Sequence, residues 1–292
     1  MELIPLGPGF GVEVKGVTML DVASDADAYR AVRDAFEQYS LLVFRDQEIA
    51  DDIQVAYSRA FGPLELTKVA SLGAGGFYSK LTNRGQNGEI VPPDDRQVLV
   101  AKANALWHTD SSFKATPALA SVLTARVLPD DGGETEFTST RLAWERLPSD
   151  LQGRLKDAVA THSYANSRDQ IHPDLANAEE RKALPPVRWR LNWRNPANDR
   201  RALYVASHAY AIDGMDDRDA RQLLAQLLDE ATKREFVYAH KWRQGDAVMW
   251  DNRAMLHRGR PWDYRKERSM IRTTISATDA DGLAEVRPPA VH

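Results

Sequence analysis

Cysteine is missing from all 292 residues. Its absence excludes disulfides, thiolate metal ligands and cysteine nucleophiles. Histidine and carboxylate remain as the metal-binding vocabulary, which suits Fe, Mn or Zn rather than thiolate-bound metals. No run of roughly 18 apolar residues occurs, so no membrane span is expected. The opening, Met1-Glu2-Leu3-Ile4-Pro5-Leu6-Gly7-Pro8, lacks a basic region followed by an apolar stretch, the pattern of a secretory signal. A cytoplasmic protein is the expectation. There is little excess of charge of either sign: 38 Lys and Arg stand against 42 Asp and Glu, for a net charge of −4. With no basic stripe, nucleic acid is not expected as the main partner.

What is present is ample for a core, since 43% of the residues are hydrophobic. Repeats, low-complexity tracts and linkers are absent, so residues 1–292 read as a single domain. Val12, Val14 and Val17 mark short strands near the start. Ser24 or Asp25 caps a helix running to about Tyr39, with Ala28, Ala31, Val32, Ala35 and Phe36 as its apolar stripe. Leu41-Leu42-Val43-Phe44 reads as a strand of a sheet covered on both faces, and Asp51 or Asp52 starts another helix ending near Phe61. From residue 73 to 95 the chain is rich in Gly, Asn, Pro and Asp, which predicts an irregular lid over a site.

Val98-Leu99-Val100 then leads toward a histidine motif, and Ala120 to Leu128 reads as a core strand. Asp130-Asp131-Gly132-Gly133 is a turn before the strand-like Glu134 to Phe137, and helices are expected at about 139–147 and 149–160. Residues 162–201, polar and rich in Arg and Trp, read as an irregular insert, with Leu203-Tyr204-Val205 a strand beyond it. A helix capped by Asp216 or Asp217 carries Leu223, Leu224, Leu227 and Leu228 on one face. Strands follow at Val237–Trp242, Ala247–Trp250 and Met270–Ile275, with Gln244-Gly245-Asp246 turning between the first two. A mostly β fold with flanking helices, a double-stranded β-helix or jelly roll, accommodates this order.

The chemistry is carried by His108-Thr109-Asp110, answered downstream by His257. Side chains two apart on a strand share a face, so His108 and Asp110 can reach one ion from a strand end or the loop after it. A lone His-x-Asp is a weak signal, and His108 by itself reads more readily as a satisfied, partly buried imidazole than as a ligand. Two imidazoles and a carboxylate on one face of a metal leave the opposite positions vacant, as non-haem Fe(II) requires for a cosubstrate and O2. Arg268 and Arg272, four apart beyond His257, are spaced to clamp two anions. One arginine would take a keto acid and the other an anionic substrate.

The chain resembles the taurine/2,4-dichlorophenoxyacetate dioxygenases, which depend on Fe(II) and 2-oxoglutarate. The resemblance rests on Leu106-Trp107-His108-Thr109-Asp110-Ser111-Ser112-Phe113, on Gly132-Gly133-Glu134-Thr135-Glu136-Phe137, and on Trp250 through Arg260. It reaches from the Leu41–Phe44 strand to about Thr274. Asn166-Ser167-Arg168, Arg234 to Tyr238 and Gly245 to Arg253 resemble the phenoxyacetate branch in particular. The resemblance implies His108, Asp110 and His257 as iron ligands, and Arg268 and Thr135 as partners of the distal carboxylate of 2-oxoglutarate. Arg272 would face the substrate's anionic group; its bland alternative is a structural surface arginine.

Ser111, through its backbone N–H, Lys68 and Asn104 are further candidates for the substrate pocket. His208 resembles a histidine of the phenoxyacetate branch and is expected in a core or supporting role. The implied reaction is oxidative cleavage of an aryloxyalkanoate to a phenol and an oxo acid such as glyoxylate, with succinate and CO2. Taurine, alkylsulfonate or alkyl sulfate oxidation is the alternative within the class, and the lysine at position 68 weighs against it. A zinc hydrolase on the same ligands, or a non-catalytic jelly-roll binding protein, would need neither 2-oxoglutarate nor O2. The likeness also implies a homo-oligomer.

Overall fold

The computed structural model describes residues 1–66 and 76–289. Its centre is a sheet of seven strands in the order Glu2–Pro5, Val12–Lys15, Leu41–Phe44, Ala247–Asp251, Ala118–Val127, Ser269–Ser276 and Ser79–Thr82. All neighbours are antiparallel except Val12–Lys15 against Leu41–Phe44. A smaller sheet, Val237–His240, Thr135–Ser139 and Met255–Gly259, faces it. The two form the double-stranded β-helix that the order of elements predicted.

Leu41–Phe44 shows why these strands are apolar throughout. Leu42 and Phe44 point outward onto the helices, while Leu41 and Val43 point inward to the second sheet. Both faces are covered, so alternation gives way to four successive buried hydrophobics. Between the sheets Phe137 meets Trp250 at 5.5 Å between ring centroids. Outside, the helices Ala26–Tyr39 and Asp51–Phe61 lay Val32, Phe36, Tyr57 and Phe61 on the larger sheet. The first begins where the carboxylate of Asp25 accepts the Ala28 N–H, as expected of a cap, and stops at Ser40, whose φ is +64°. The helix Asp217–Ala231, capped by Asp216, covers the other side through Leu224 and Leu227.

Arg253 ties the turn after Ala247–Asp251 to the helical layer. It is 2% exposed and donates to Glu37 at 2.7 Å and Asp251 at 2.9 Å. Removing one member of such a buried set strands the others in a medium that solvates charge poorly.

Three expectations are corrected. Within 73–95, Ser79–Thr82 is an edge strand paired with Ser269–Ser276, because Lys80 and Leu81 find an open ladder there; residues 73–75 lie outside the described residues. The segment 162–201 is not irregular. It holds the helices Tyr164–Asp169 and Ala178–Ala183 and the strands Val187–Arg190 and Asn192–Arg194, each in a small sheet. The helix expected over 149–160 ends at Leu155, since Val159–His162 pairs with Val187–Arg190 and Ala209–Ile212. Except for Asn192–Arg194, which forms a hairpin with Arg201–Leu203, the partner strands lie far away in sequence, where local composition carries no trace of them. The turn at Gly245 (φ +83°) does link the expected strands, but it passes from one sheet to the other instead of closing a hairpin.

Candidate active site

His108 stands where the chain makes an isolated bridge to the smaller sheet: its N–H donates to the His257 carbonyl at 3.0 Å, and the His257 N–H returns the bond at 2.9 Å. The two rings are thereby held 4.1 Å apart. Asp110 lies two residues on, at the turn that Ser111 makes with φ +57°. Potential ligand atoms of His108, Asp110 and His257 all fall within 4.8 Å of one another, and all three residues are buried. The turn is pinned by Asn252, which accepts the Asp110 N–H at 3.0 Å and the Trp250 indole N–H at 3.0 Å through its Oδ1. The Thr109 hydroxyl donates to the Asn252 carbonyl at 2.6 Å.

The donor set fits a divalent metal. The His108 Nδ1 is 2.7 Å from the Leu106 carbonyl, so it carries the proton and leaves Nε2 as a ligand. Burial holds both imidazoles below their ordinary pKa, hence neutral, with His257 depressed further by His108. Burial would raise the Asp110 carboxyl, but the charge of Arg272, aided by the Ser121 hydroxyl, outweighs it and holds it ionised. Arg272 donates to Asp110 Oδ1 at 2.7 Å and Ser121 to Oδ2 at 2.7 Å. Among the described residues, the Nδ1 of His257 is buried without a hydrogen-bond partner.

A cavity of about 350 Å³ opens beside this triad. Asn104, Ser111, Arg268 and Arg272 border it, whereas Lys68 lies outside the described residues. Arg268 is 9% exposed and has no carboxylate partner among the described residues. Burial pushes its guanidinium down to about 10. It is held by its contact with the Gly133 carbonyl at 3.1 Å and stacks on Trp262. Its backbone N–H donates to Asn83, whose amide in turn spans two carbonyls of the 264–266 loop. The diglycine turn makes the approach feasible. Gly132 and Gly133 have φ near +77° and +75°, and a Cβ on Gly133 would stand 3.0 Å from Arg268 Nε.

Thr135 is buried, and its hydroxyl accepts the Trp242 indole N–H at 3.0 Å, leaving its own proton to donate elsewhere. Asn104 gives its carbonyl to the Gly259 N–H at 2.9 Å, and the Ser111 hydroxyl donates to Glu65 at 2.6 Å. His208 also reaches the cavity, with its other ring nitrogen 3.2 Å from the Ser112 hydroxyl.

Residues 2–274 match the family described as "Taurine catabolism dioxygenase TauD, TfdA family". The chain belongs to this family. It is 39% identical over 275 residues to the alpha-ketoglutarate-dependent 2,4-dichlorophenoxyacetate dioxygenase of Cupriavidus pinatubonensis, covering 92% of this chain and 96% of that one. To the (S)-phenoxypropionate/alpha-ketoglutarate-dioxygenase of Sphingobium herbicidovorans it is 33% identical, covering 97% of each. The crystal structure of AAD-2 in complex with Mn(II) and N-oxalylglycine superimposes with a TM-score of 0.88 at 36% identity, over 95% of this chain and 98% of the other.

As a member of the TauD, TfdA family the chain is an Fe(II)- and 2-oxoglutarate-dependent dioxygenase, and His108, Asp110 and His257 form its facial metal triad. Asn252, Ser121 and Trp242 are supports that sequence reasoning missed. Asn252 had a signal in the Trp250-Asp251-Asn252-Arg253 run, while Ser121 and Trp242 had none, the first brought in from the strand Ala118–Val127 and the second from the loop after Val237–His240.

Proposed function

We propose that this dioxygenase hydroxylates the carbon beside the ether oxygen of an aryloxyalkanoate, releasing a phenol and an oxo acid such as glyoxylate. The observation that carries the reading is the buried Arg268, without a carboxylate partner among the described residues, in the cavity that His108 and Asp110 also line. The substrate class is supported by the likeness to dioxygenases named for 2,4-dichlorophenoxyacetate and (S)-phenoxypropionate.

Iron held by the triad supplies the oxidising chemistry, with one atom of O2 entering succinate as 2-oxoglutarate loses CO2 and the other entering the substrate. The rest is positioning by this chain. Arg268 offers a planar fork to the distal carboxylate of 2-oxoglutarate, and the Thr135 hydroxyl donates to the same group. Arg272 donates to Asp110 at 2.7 Å and faces the substrate's anionic group from the cavity wall. Ser111 and Asn104 border the cavity too, and Lys68, outside the described residues, is carried as a substrate-binding candidate on the resemblance alone. Leu81, Val98, Ala101 and Phe113 supply apolar wall for an aromatic ring. Hydroxylation beside the ether oxygen gives a hemiacetal, which collapses without a protein nucleophile.

Enzyme loaded anaerobically with Fe(II) and then given 2-oxoglutarate, O2 and 2,4-dichlorophenoxyacetate is expected to release phenol and succinate in equal amounts. Sulfite from taurine, without phenol, would move the assignment to sulfonates.

The family match over residues 2–274 supports a single domain. We assign residues 76–95, apart from the edge strand, to the lid of that domain. No helix among the described residues is long and apolar enough to cross a membrane. We further infer a cytoplasmic homo-oligomer on the family likeness; light scattering of the purified protein and fractionation of the source cells check the two parts.

A further inference from the structure

A guanidinium without a carboxylate partner must be held in place by something else. Arg268 sits at the end of a long rotatable stem, and its Nε is buried without a hydrogen-bond partner among the described residues. Its Nη2 donates to the Gly133 carbonyl at 3.1 Å, which fixes one edge of the fork. Trp262 covers a face: its ring centroid lies 5.1 Å from the guanidinium carbon, within reach of a cation–π contact. Trp262 is partly buried, packs on Tyr264 at 4.2 Å between ring centroids, and borders the cavity together with it.

The loop that carries Trp262 joins the strand bearing His257 to the strand bearing Arg272. It is tied down by backbone. Gly132 forms an isolated bridge with Trp262, and the Gly133 N–H donates to the Pro261 carbonyl at 3.2 Å. A Cβ on Gly132 would stand 2.8 Å from that carbonyl oxygen, so the turn and the loop meet this closely only because the residue is glycine. The Asn83 amide, 2% exposed, donates to the carbonyls of Tyr264 and Lys266 at 2.8 and 2.9 Å. One diglycine turn thus holds both the fork of Arg268 and the aromatic plane it lies on.

A diacid that reaches from the metal triad to Arg268 must match the separation between them. A fork free to slide would accept a longer diacid almost as well. We propose that Trp262 sets the chain length of the oxo-acid cosubstrate: by fixing where Arg268 stands, it makes the site favour 2-oxoglutarate over 2-oxoadipate, which is longer by one methylene. Trp262 is a positioning residue, acting through the guanidinium it covers. The assignment rests on the reading of Arg268 as partner of the distal carboxylate, and it is independent of the organic substrate.

The test is calorimetric titration of Mn(II)-loaded protein with each oxo acid, in the absence of organic substrate. Wild type is expected to bind 2-oxoglutarate about 10-fold or more tightly than 2-oxoadipate, the usual penalty for a misplaced methylene in a site that does not yield. Trp262→Leu should weaken 2-oxoglutarate about 3- to 10-fold, the range for a partly desolvated cation–π contact, with Mn(II) affinity kept and 2-oxoadipate little changed. In turnover KM for 2-oxoglutarate should rise while kcat holds. Should Trp262→Leu fail to fold, Trp262→Phe decides. Its smaller face is expected to narrow the preference in part, and an undiminished preference overturns the proposal.

An equal loss for both acids in Trp262→Leu also overturns it, because a general loosening of the loop would give that result. So does a wild type without a preference. Arg268→Gln separates this proposal from the reading beneath it. If that variant binds 2-oxoglutarate as wild type does, the reading of Arg268 falls and the role of Trp262 falls with it. If it loses 2-oxoglutarate while Trp262→Leu keeps the full preference, Arg268 stands and Trp262 alone is overturned.

Discussion

His162 is wholly buried, with Nδ1 at 3.2 Å from the Ser112 hydroxyl, and burial pushes its pKa down to about 3. In the unfolded chain the same imidazole would titrate near its usual value of about 6.5. Between those values the unfolded chain binds a proton that the folded one does not. The stability is therefore fully present above about pH 6.5 and is lost as the pH falls toward 3, with a slope of about 1.4 kcal/mol per pH unit for one such group. Urea unfolding at pH 7, 6 and 5 should show that decline, and His162→Gln should flatten it by about one proton's worth.

A second prediction concerns Trp242, whose indole N–H fixes which way the Thr135 hydroxyl faces. Trp242→Phe keeps most of the packing and removes the donor. KM for 2-oxoglutarate should rise about 2- to 10-fold, as expected for one hydrogen bond, with substrate KM unchanged. A rise in both constants would point to a general disturbance of the smaller sheet instead.

At the scale of elements, the metal site is a joint between the turn 108–111 and the ends of two sheets. Asn252 makes that joint: it receives N–H groups from Asp110 and Trp250, and its own amide donates to Ser121 at 3.0 Å. None of these contacts involves the metal ligand atoms directly. Asn252→Ala should therefore leave the fold intact while weakening Mn(II) or Fe(II) binding about 10- to 100-fold, the usual effect of losing a support behind the ligands. A metal titration of the apoprotein measures it. Retained affinity would show that the His108–His257 bridge positions Asp110 without help.

Across the whole molecule, one ion joins segments that the chain separates widely. His108 and Asp110 come from one loop, while His257 lies on Met255–Gly259, packed beneath Phe137 and Trp250. A metal that binds only when these are assembled stabilises the folded state by mass action. At a free Mn(II) concentration 100 times its Kd the gain is about 2.7 kcal/mol. Calorimetry should show Tm rising with Mn(II) and returning to the apoprotein value with chelator. No shift would mean that the ligands meet metal equally well in the unfolded chain, which three scattered residues cannot do.

The metal triad and the spaced arginines were legible as a pattern of residue types, because ligand chemistry admits few alternatives to histidine and carboxylate when cysteine is absent. The Leu41–Phe44 strand and the helix caps at Asp25 and Asp216 were legible too, since burial on two faces and capping act over a few residues. The edge strand Ser79–Thr82, the strands inside 162–201 and the early end of the helix at Leu155 were not. Each depends on a hydrogen-bonding partner that only the folded chain brings alongside. The same holds for charge. Spacing marks Arg268 and Arg272 alike, yet only the fold sets Arg272 against Asp110 and leaves Arg268 buried without a carboxylate partner among the described residues. Residue type dictated which groups could bind a metal or an anion; long-range packing decided which of them are already paired.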